Sequence, residues 1–284
     1  MKFCLYGNPT IDIIITKSTV RVAYGGGVYY SALPLIQRGL NIEVYSALSP
    51  RLVDHPIIRY ITKLQYSTRT NVFILKYMNG KRAVKILEKA PSLYPWNTHR
   101  DLCYTIVNPV INEVGTSLLK LLRVKSQVLA VDIQGFVRVA SSSGEVFLEP
   151  SSEVLDIMEL ADVIHADINE VKCVIKALRH YTTLSTGLSL LARKMRGALV
   201  ITRGSNKITV IHSGVVRDIE CEDDYTALEK TGAGDYFLTV YFLNYLASGD
   251  AVDSVYKAHE EVTRWLKVRD RMLHRTPHHS TGEF

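Results

Sequence analysis

Cysteine is scarce in this chain of 284 residues. Its four cysteines, Cys4, Cys103, Cys173 and Cys221, lie far apart, and no two of them form a C-x-x-C pair. This spacing indicates neither a metal-ligand set nor a disulfide framework. We therefore expect reduced, buried thiols, as is usual for a cytoplasmic protein.

Long apolar runs are missing, and so is a charged N-terminal region followed by an apolar segment. No stretch approaches the ~20 apolar residues that cross a bilayer, so we expect neither a membrane span nor a secretory signal. The pattern G-x-x-x-x-G-K-[ST] does not occur, which excludes a P-loop. The net charge is +6, but the basic residues are scattered, so the charge does not predict nucleic-acid binding.

What the chain does contain is a glycine-rich turn in front of an apolar helical pattern, Thr231-Gly232-Ala233-Gly234-Asp235. A glycine turn that enters a helix points unpaired backbone N–H groups at one place, which suits an anion, phosphate above all. Asp235 adds a proton acceptor beside that anion site, and the positive helix end should hold its pKa low. The combination predicts phosphoryl transfer to a hydroxyl.

Strand-like and helix-like segments alternate along most of the chain, which predicts a largely parallel sheet covered by helices. No repeat or low-complexity linker interrupts them, so we expect one domain over 1–284. Asn79-Gly80 between two strand-like runs is a hairpin signal. It indicates a lid, with segments at about 13–24 and 68–89. The basic stretch after Leu266 predicts a disordered tail over 267–284.

Five elements, in this order, resemble the ribokinase-like (pfkB) family of small-molecule kinases, and the resemblance covers residues 3 to about 266. They are an early aspartate, a paired glycine, an N-x-x-E-like element, a T-x-G strand end and the glycine turn: Asp12, Gly25-Gly26, Asp167-Ile168-Asn169-Glu170, Thr202-Arg203-Gly204 and Glu229 to Asp235. The resemblance implies a ribokinase-like α/β fold, a three-layer α/β/α Rossmann-like core with a small β-strand lid.

The same resemblance implies the catalytic roles. Asp235 would be the general base, and the backbone N–H groups of Gly232, Ala233 and Gly234 would form the anion hole. Asp167 and Glu170 would hold Mg²⁺ through water.

It also implies two sets of binding residues. ATP would contact Thr202, Gly204, Lys230 and Thr231. The acceptor, a sugar or polyol, would contact Asp12, Gly25, Gly26, Tyr30, Asn108 and Arg138.

Several positions depart from the family pattern. Asp167 replaces an Asn, Glu229 and Lys230 replace Asp and Thr, and Gly27 and Tyr30 stand where ribose-binding members have Lys and Asn. These differences argue against ribose. Three stretches resemble an archaeal and plant subgroup associated with myo-inositol phosphorylation: Gly25 to Tyr30, Asp132 to Arg138, and Asn108-Pro109-Val110 followed by Glu113.

Other interpretations remain open from the residues alone. Asp167 and Glu170 could be helix caps, Tyr30 a core aromatic and Arg138 a surface ion pair. A nucleoside kinase would share every motif, and a catalytically inactive polyol or nucleotide sensor would keep the binding residues. The resemblance further implies a homodimer formed through the lid.

Overall fold

The computed structural model describes residues 1–275 except positions 18, 79–80, 97, 152, 179–182, 222–224 and 228. In chain order, the strands are β1 Lys2–Tyr6, β2 Thr10–Ile15, β3 Val20–Gly25, β4 Asn41–Leu48, β5 Ile61–Tyr66, β6 Asn71–Met78, β7 Lys81–Glu88, β8 Cys103–Val107, β9 Ser126–Asp132, β10 Arg138–Ala140, β11 Val146–Leu148, β12 Val163–Asp167, β13 Ala198–Thr202, β14 Lys207–His212 and β15 Val215–Glu220. The helices are α1 Gly27–Gln37, α2 Thr116–Lys125, α3 Gln134–Val137, α4 Glu153–Leu160, α5 Ile168–Ala177, α6 Leu184–Lys194, α7 Ala233–Ser248 and α8 Ala251–Arg275.

A nine-stranded sheet forms the middle layer, in the order β15-β14-β13-β12-β9-β8-β1-β4-β5. The strands from β13 to β5 pair in parallel, and β14 and β15 add an antiparallel edge. Helices α2, α4, α5 and α6 pack on one face, and α1, α7 and α8 pack on the other. This is the three-layer α/β/α fold that the sequence predicts.

Strand β1 shows how one short segment serves both layers. Phe3 and Leu5 belong to the core under α1, α7 and α8, whereas Cys4 and Tyr6 belong to the core on the opposite face. The side chains of a strand alternate between the two faces of the sheet, and all four of these are fully buried. A strand buried on both faces is typical of a parallel sheet.

A second sheet, in the order β3-β2-β6-β7, lies apart from the first and has its own small apolar core. Its strands agree with the segments expected to form a lid, and β6 and β7 pair antiparallel as the hairpin signal predicts. The Asn79-Gly80 turn itself lies outside the described residues. Within the part of the chain that is described, no helix is both apolar enough and long enough to cross a membrane.

Two expectations are wrong. The tail expected from residue 267 is helical as far as Arg275, because α8 continues and buries Asp270 beside the hydroxyl of Tyr225; residues 276–284 lie outside the described part. Cys4 and Cys103 form a disulfide, since the parallel pairing of β1 with β8 brings their Cα atoms to 6.2 Å. Cys173 and Cys221 are free and buried, as expected.

Candidate active site

The carboxyl ends of the parallel strands bring most of the predicted site residues to one edge of the main sheet. Asn108 directly follows β8, and Asp132, Asp167 and Thr202 are the last residues of β9, β12 and β13. Open α/β sheets bind ligands at this edge, in the crevice beyond the strand ends. We call this region the catalytic edge, after the role that the sequence predicts for it.

The glycine turn opens α7 at the catalytic edge. Gly232 is the N-cap and has a left-handed backbone with φ of 78°. The ring of Tyr30 packs directly against its Cα, so a side chain at 232 would be both strained and obstructed. Gly234 is equally confined, because a Cβ there would lie 2.9 Å from Cε1 of His165. Both glycines are therefore required by the geometry of the turn.

The turn leaves three backbone N–H groups available. Ala233 donates its N–H to the carbonyl of Lys230 at 3.1 Å, so it is not a free donor as the sequence suggested. Among the described residues, the N–H groups of Gly232, Gly234 and Asp235 have no hydrogen-bond partner. Three unpaired donors at the positive end of a helix form a cradle for an anion.

Asp235 lies in the first turn of α7 and is 9% exposed. Burial above all, and then the negative charge of Asp132, raise its pKa to about 6, although Arg138 and His165 act to lower it. The expected low pKa is therefore wrong, because desolvation outweighs the helix end. A carboxylate with this pKa is ionised at pH 7 and is still basic enough to accept a proton.

A chain of amide hydrogen bonds orients the Asp235 carboxylate. Gln134 donates from Nε2 to Oδ1 of Asp235 at 2.8 Å and to Oδ1 of Asn108 at 3.2 Å. Asn108 donates from Nδ2 to the hydroxyl of Ser31 at 2.7 Å, and Ser31 donates to the backbone carbonyl of Asp235 at 3.2 Å. Asn108 is thus a neighbour of Asp235, its contact with the acceptor stays a prediction, and Gln134 is an addition.

A buried acid–histidine pair lies behind the glycine turn. His165 Nδ1 is 2.7 Å from Oδ2 of Asp132, and its Nε2 is 3.4 Å from the hydroxyl of Thr202. Burial lowers the pKa of His165, but the Asp132 carboxylate more than offsets this and raises it above the ordinary value. Sequence analysis missed His165, although a polar residue inside the apolar run of β12 was a usable signal.

Asp167 and Glu170 form a capping box at the start of α5. Asp167 accepts hydrogen bonds from the N–H groups of Asn169 and Glu170, and Glu170 accepts one from the N–H of Asp167 at 2.9 Å. The other oxygen of Glu170 lies 3.4 Å from Nη2 of Arg138. The capping interpretation is therefore correct. Both Glu170 oxygens are occupied, and Oδ2 of Asp167 has no partner among the described residues. The free Oδ2 of Asp167 is therefore the group of this pair that most readily accepts a hydrogen bond from the water of a hydrated Mg²⁺.

Asp12 enters the site from the second sheet and is 3% exposed. Thr10 donates to its Oδ1 at 2.7 Å, and Gly25 packs its Cα against the other oxygen. Burial above all, and also the charge of Glu229, raise the pKa of Asp12 to about 6, although the Thr10 hydrogen bond, Arg82 and Arg21 act to lower it.

Gly26, the N-cap of α1, has φ of 105° and lies so close to the chain that a Cβ would be 2.6 Å from the carbonyl of Asn8. The paired glycine thus lets α1 start directly beside Asp12.

Tyr30 is near enough to Asp12 and Asp235 to be affected by both charges. Burial raises the pKa of its hydroxyl, and the charges of Asp12, Glu229 and Asp235 also raise it. The residue is 7% exposed and its ring packs on Gly232, so it is a core aromatic at the wall of the site.

The residues that precede the glycine turn contact the second sheet. Glu229 forms an ion pair with Arg21 on β3, and the hydroxyl of Thr231 lies 2.6 Å from that of Tyr77 on β6. Lys230 is exposed, as is Gly204 beyond β13. The Thr231 hydroxyl is therefore engaged by the second sheet, and Glu229, which departs from the family pattern, connects the turn to the same sheet.

Comparison with family models and with curated protein sequences finds no match. Among solved structures, the chain is similar to a pyrophosphate-dependent kinase in the ribokinase family in complex with sulfate, with a TM-score of 0.80, 17% identity and coverage of 96% of this chain and 100% of that one. Such a kinase complexed with a pyrophosphate analog and myo-inositol gives a TM-score of 0.79, 16% identity and coverage of 93% and 94%. Ribokinase from Thermotoga maritima gives 0.71, 13% identity and coverage of 93% and 92%. The chain has the ribokinase-like fold over nearly its full length, which confirms the fold expected from the motifs.

Proposed function

We propose that this protein is a kinase that transfers a phosphoryl group to a hydroxyl of a sugar or polyol, with myo-inositol or a related polyol as the favoured acceptor. One observation carries the proposal. Asp235, whose pKa is raised to about 6, lies beside the unpaired N–H groups of Gly232 and Gly234. A base and an anion cradle within one helical turn are what phosphoryl transfer to an alcohol needs.

The acceptor would lie between Asp12 and Asp235. The ionised Asp12 would accept hydrogen bonds from two hydroxyls of the acceptor. Gly25 and Gly26 have no side chains, so they leave room beside Asp12 for the ring of the acceptor. The Tyr30 hydroxyl has no hydrogen-bond partner among the described residues and is available to the acceptor. A neutral polyol suits this pocket, because a phosphorylated acceptor would meet the negative charges of two carboxylates.

In the reaction, Asp235 takes the proton of the attacking hydroxyl as the new oxygen–phosphorus bond forms. The bond from that phosphorus to the bridging oxygen of the donor breaks, which releases ADP from ATP or phosphate from pyrophosphate. The free N–H groups at the start of α7 stabilise the charge on the transferred phosphoryl. Arg138, held near Asp235 and Glu170, adds positive charge at the same place. Lid closure over the acceptor would exclude water, which otherwise competes as the nucleophile.

We propose ATP as the donor, with its γ-phosphoryl at the glycine turn and the remainder along Thr202, Gly204 and Lys230. Inorganic pyrophosphate is a second candidate, favoured by the similarity to pyrophosphate-dependent kinases. We assign Mg²⁺ to a water-mediated contact with Asp167, which Glu170 orients through the capping box; when bound, it neutralises charge on the donor phosphates.

Two alternatives from the sequence remain to be tested. A nucleoside kinase is supported by the ribokinase-like fold that it would share, and an inactive sensor would keep the pocket without turnover. The raised pKa of Asp235 favours an enzyme over a sensor, because only an enzyme needs a proton acceptor there.

A homodimer through the second sheet is supported by the exposed apolar side chains of Val20, Val22 and Leu87. Light scattering of the wild type and of Val22→Glu tests the dimer.

A donor-by-acceptor panel tests the proposal. Acceptors are myo-inositol, ribose, fructose phosphates and nucleosides, and donors are ATP, GTP, ADP and pyrophosphate with Mg²⁺, with product phosphate measured by ³¹P NMR. We expect transfer to myo-inositol or a related polyol. Turnover of nucleosides alone would favour the alternative kinase, and binding without turnover would favour the sensor.

A further inference from the structure

Arg269 lies on α8, in the stretch that the sequence assigned to a basic tail, yet it contacts the glycine turn. Its Nη1 donates to the backbone carbonyl of Thr231 at 2.6 Å, and its Nη2 donates to the carbonyl of Glu229. One guanidinium therefore holds two carbonyls of the segment that leads into α7. Planar, forked donors suit such paired acceptors.

These contacts fix the direction of a cradle N–H group. The carbonyl of Thr231 and the N–H of Gly232 belong to one peptide unit, which is planar and trans, so the two groups point in opposite directions. A donor that holds the Thr231 oxygen on the α8 side turns the Gly232 N–H to the other side. The carbonyl hydrogen bond also polarises the peptide and makes its N–H a better donor.

The local backbone would not hold this orientation alone. Gly232 has φ of 78°, a conformation that glycine enters and leaves at little cost. Among the described residues, the backbone hydrogen bond that closes the turn runs from the N–H of Ala233 to the carbonyl of Lys230, and neither group belongs to the peptide between Thr231 and Gly232. External contacts are needed to keep that peptide in one orientation.

Arg269 itself is held by an aromatic stack. Its guanidinium lies 4.5 Å from the centroid of the Trp265 ring, a cation–π contact. Trp265 stacks on Tyr236 with ring centroids 4.6 Å apart, and its edge meets Tyr30 at 6.1 Å. Since Tyr30 packs on Gly232, the stack connects both sides of the turn.

We propose that Arg269 is a positioning residue that orients the Thr231–Gly232 peptide, so that the Gly232 N–H faces the transferred phosphoryl group. This inference rests on the proposed kinase function. It assigns Arg269 no contact with substrate, and its effect passes through the cradle.

The test compares Arg269→Ala, Arg269→Lys and the control Arg264→Ala. Arg264 lies on the same helix, is exposed and pairs with Glu260 one turn away. Losing one aligned cradle donor should lower kcat of Arg269→Ala by about 10²-fold with the acceptor KM within about twofold. Lysine keeps the positive charge but loses the forked pair of donors, so kcat of Arg269→Lys should lie between those of the wild type and Arg269→Ala. Free guanidinium added to the assay should partly restore kcat of Arg269→Ala. Arg264→Ala should match the wild type.

Binding of inorganic pyrophosphate, measured by calorimetry, gives a readout independent of turnover and should weaken about tenfold in Arg269→Ala. If the wild type transfers phosphoryl to no acceptor, the proposed function fails, and pyrophosphate binding still decides the role of Arg269. If the wild type is active and Arg269→Ala equals Arg264→Ala in kcat and binding, the role of Arg269 is overturned and the kinase remains. Should Arg269→Ala not fold, Arg269→Lys decides, and a normal kcat there overturns the inference.

Discussion

Two buried histidines, His165 on the main sheet and His99 in the segment before β8, illustrate a difference between two polar clusters. His165 belongs to the catalytic edge, where its Nδ1 faces the Asp132 carboxylate and its pKa is raised. His99 belongs to a second cluster with Cys4, Cys103 and Tyr6, which we call the disulfide cluster. There burial lowers the pKa of His99, and both ring nitrogens face neutral partners, the Tyr6 hydroxyl at 2.9 Å and the Lys125 carbonyl at 2.8 Å.

The difference separates a site from a structural element. At the catalytic edge, charges are buried together and three N–H groups have no partner in the described chain, an arrangement that costs stability and becomes satisfied when an anion binds. In the disulfide cluster, the polar groups of His99 are paired and Tyr6 stacks on Tyr45 with ring centroids 4.6 Å apart. Changes at the first cluster should therefore affect turnover, and changes at the second should affect folding.

The largest effect on turnover is expected for Asp235→Asn. Removing the general base should lower kcat by about 10²- to 10⁴-fold, measured by release of the donor product with the best acceptor of the panel. The fold should not suffer. Burial raises the pKa of Asp235 to about 6, so the ionised form opposes folding at pH 7, and its removal should keep or raise the melting temperature.

Asp253→Asn is the matched control, since Asp253 is also an acid in the first helical turn, on α8, and pairs with Lys257 near the surface. Its turnover should equal that of the wild type. Near-normal turnover of Asp235→Asn would contradict both the assignment of Asp235 as the base and the contrast between the two clusters.

A smaller effect is expected for Asp12→Asn. This variant loses the charged carboxylate that accepts hydrogen bonds from the hydroxyls of the substrate. The KM for that substrate should rise by about 10- to 100-fold, the equivalent of about 1.5–3 kcal/mol. Asp54→Asn, at an exposed position, is the control. An unchanged KM in Asp12→Asn would show that the acceptor does not contact the second sheet.

The pH profile of the wild type gives a second readout. Asp12 and Asp235 both have pKa values of about 6 and both act ionised, so kcat/KM should fall below about pH 6 as they take up protons. Two groups give an acid limb steeper than one, and Asp12→Asn should reduce it to a single ionisation. A flat profile between pH 5 and 8 would contradict both pKa shifts.

The two clusters differ in how much of each could be predicted from the sequence. The glycine turn was visible in the sequence, because Gly232, Gly234 and Asp235 lie together in the chain and form a recognisable pattern before a helix. The direction of the Asp235 pKa shift could not be predicted from the sequence. It depends on burial and on Asp132, which lies far away in the chain at the end of β9.

The disulfide cluster and Arg269 could not be predicted. Cys4 and Cys103 are 99 positions apart, and only the parallel pairing of β1 with β8 brings them together. Arg269 resembled other basic residues near the end of the chain, and its role depends on where α8 packs. Contacts between distant segments leave no local pattern when each segment alone looks ordinary.

The smallest effect on turnover, and the largest on stability, is expected for the disulfide. Its loop of about 100 residues restricts the unfolded chain strongly, so the double variant Cys4→Ala with Cys103→Ala should lose about 2–5 kcal/mol of unfolding free energy. Cys173→Ala, at a free buried cysteine, is the control. Turnover of the double variant at 25 °C should stay within about twofold of the wild type, because Cys103 begins β8 and so lies at the opposite end of that strand from Asn108. Denaturant unfolding with and without reductant measures the loss, and thiol titration of the denatured chain should find two free thiols before reduction and four after it. Four free thiols before reduction would contradict the disulfide. A 10-fold fall in turnover of a folded double variant would contradict the separate roles given to the two clusters.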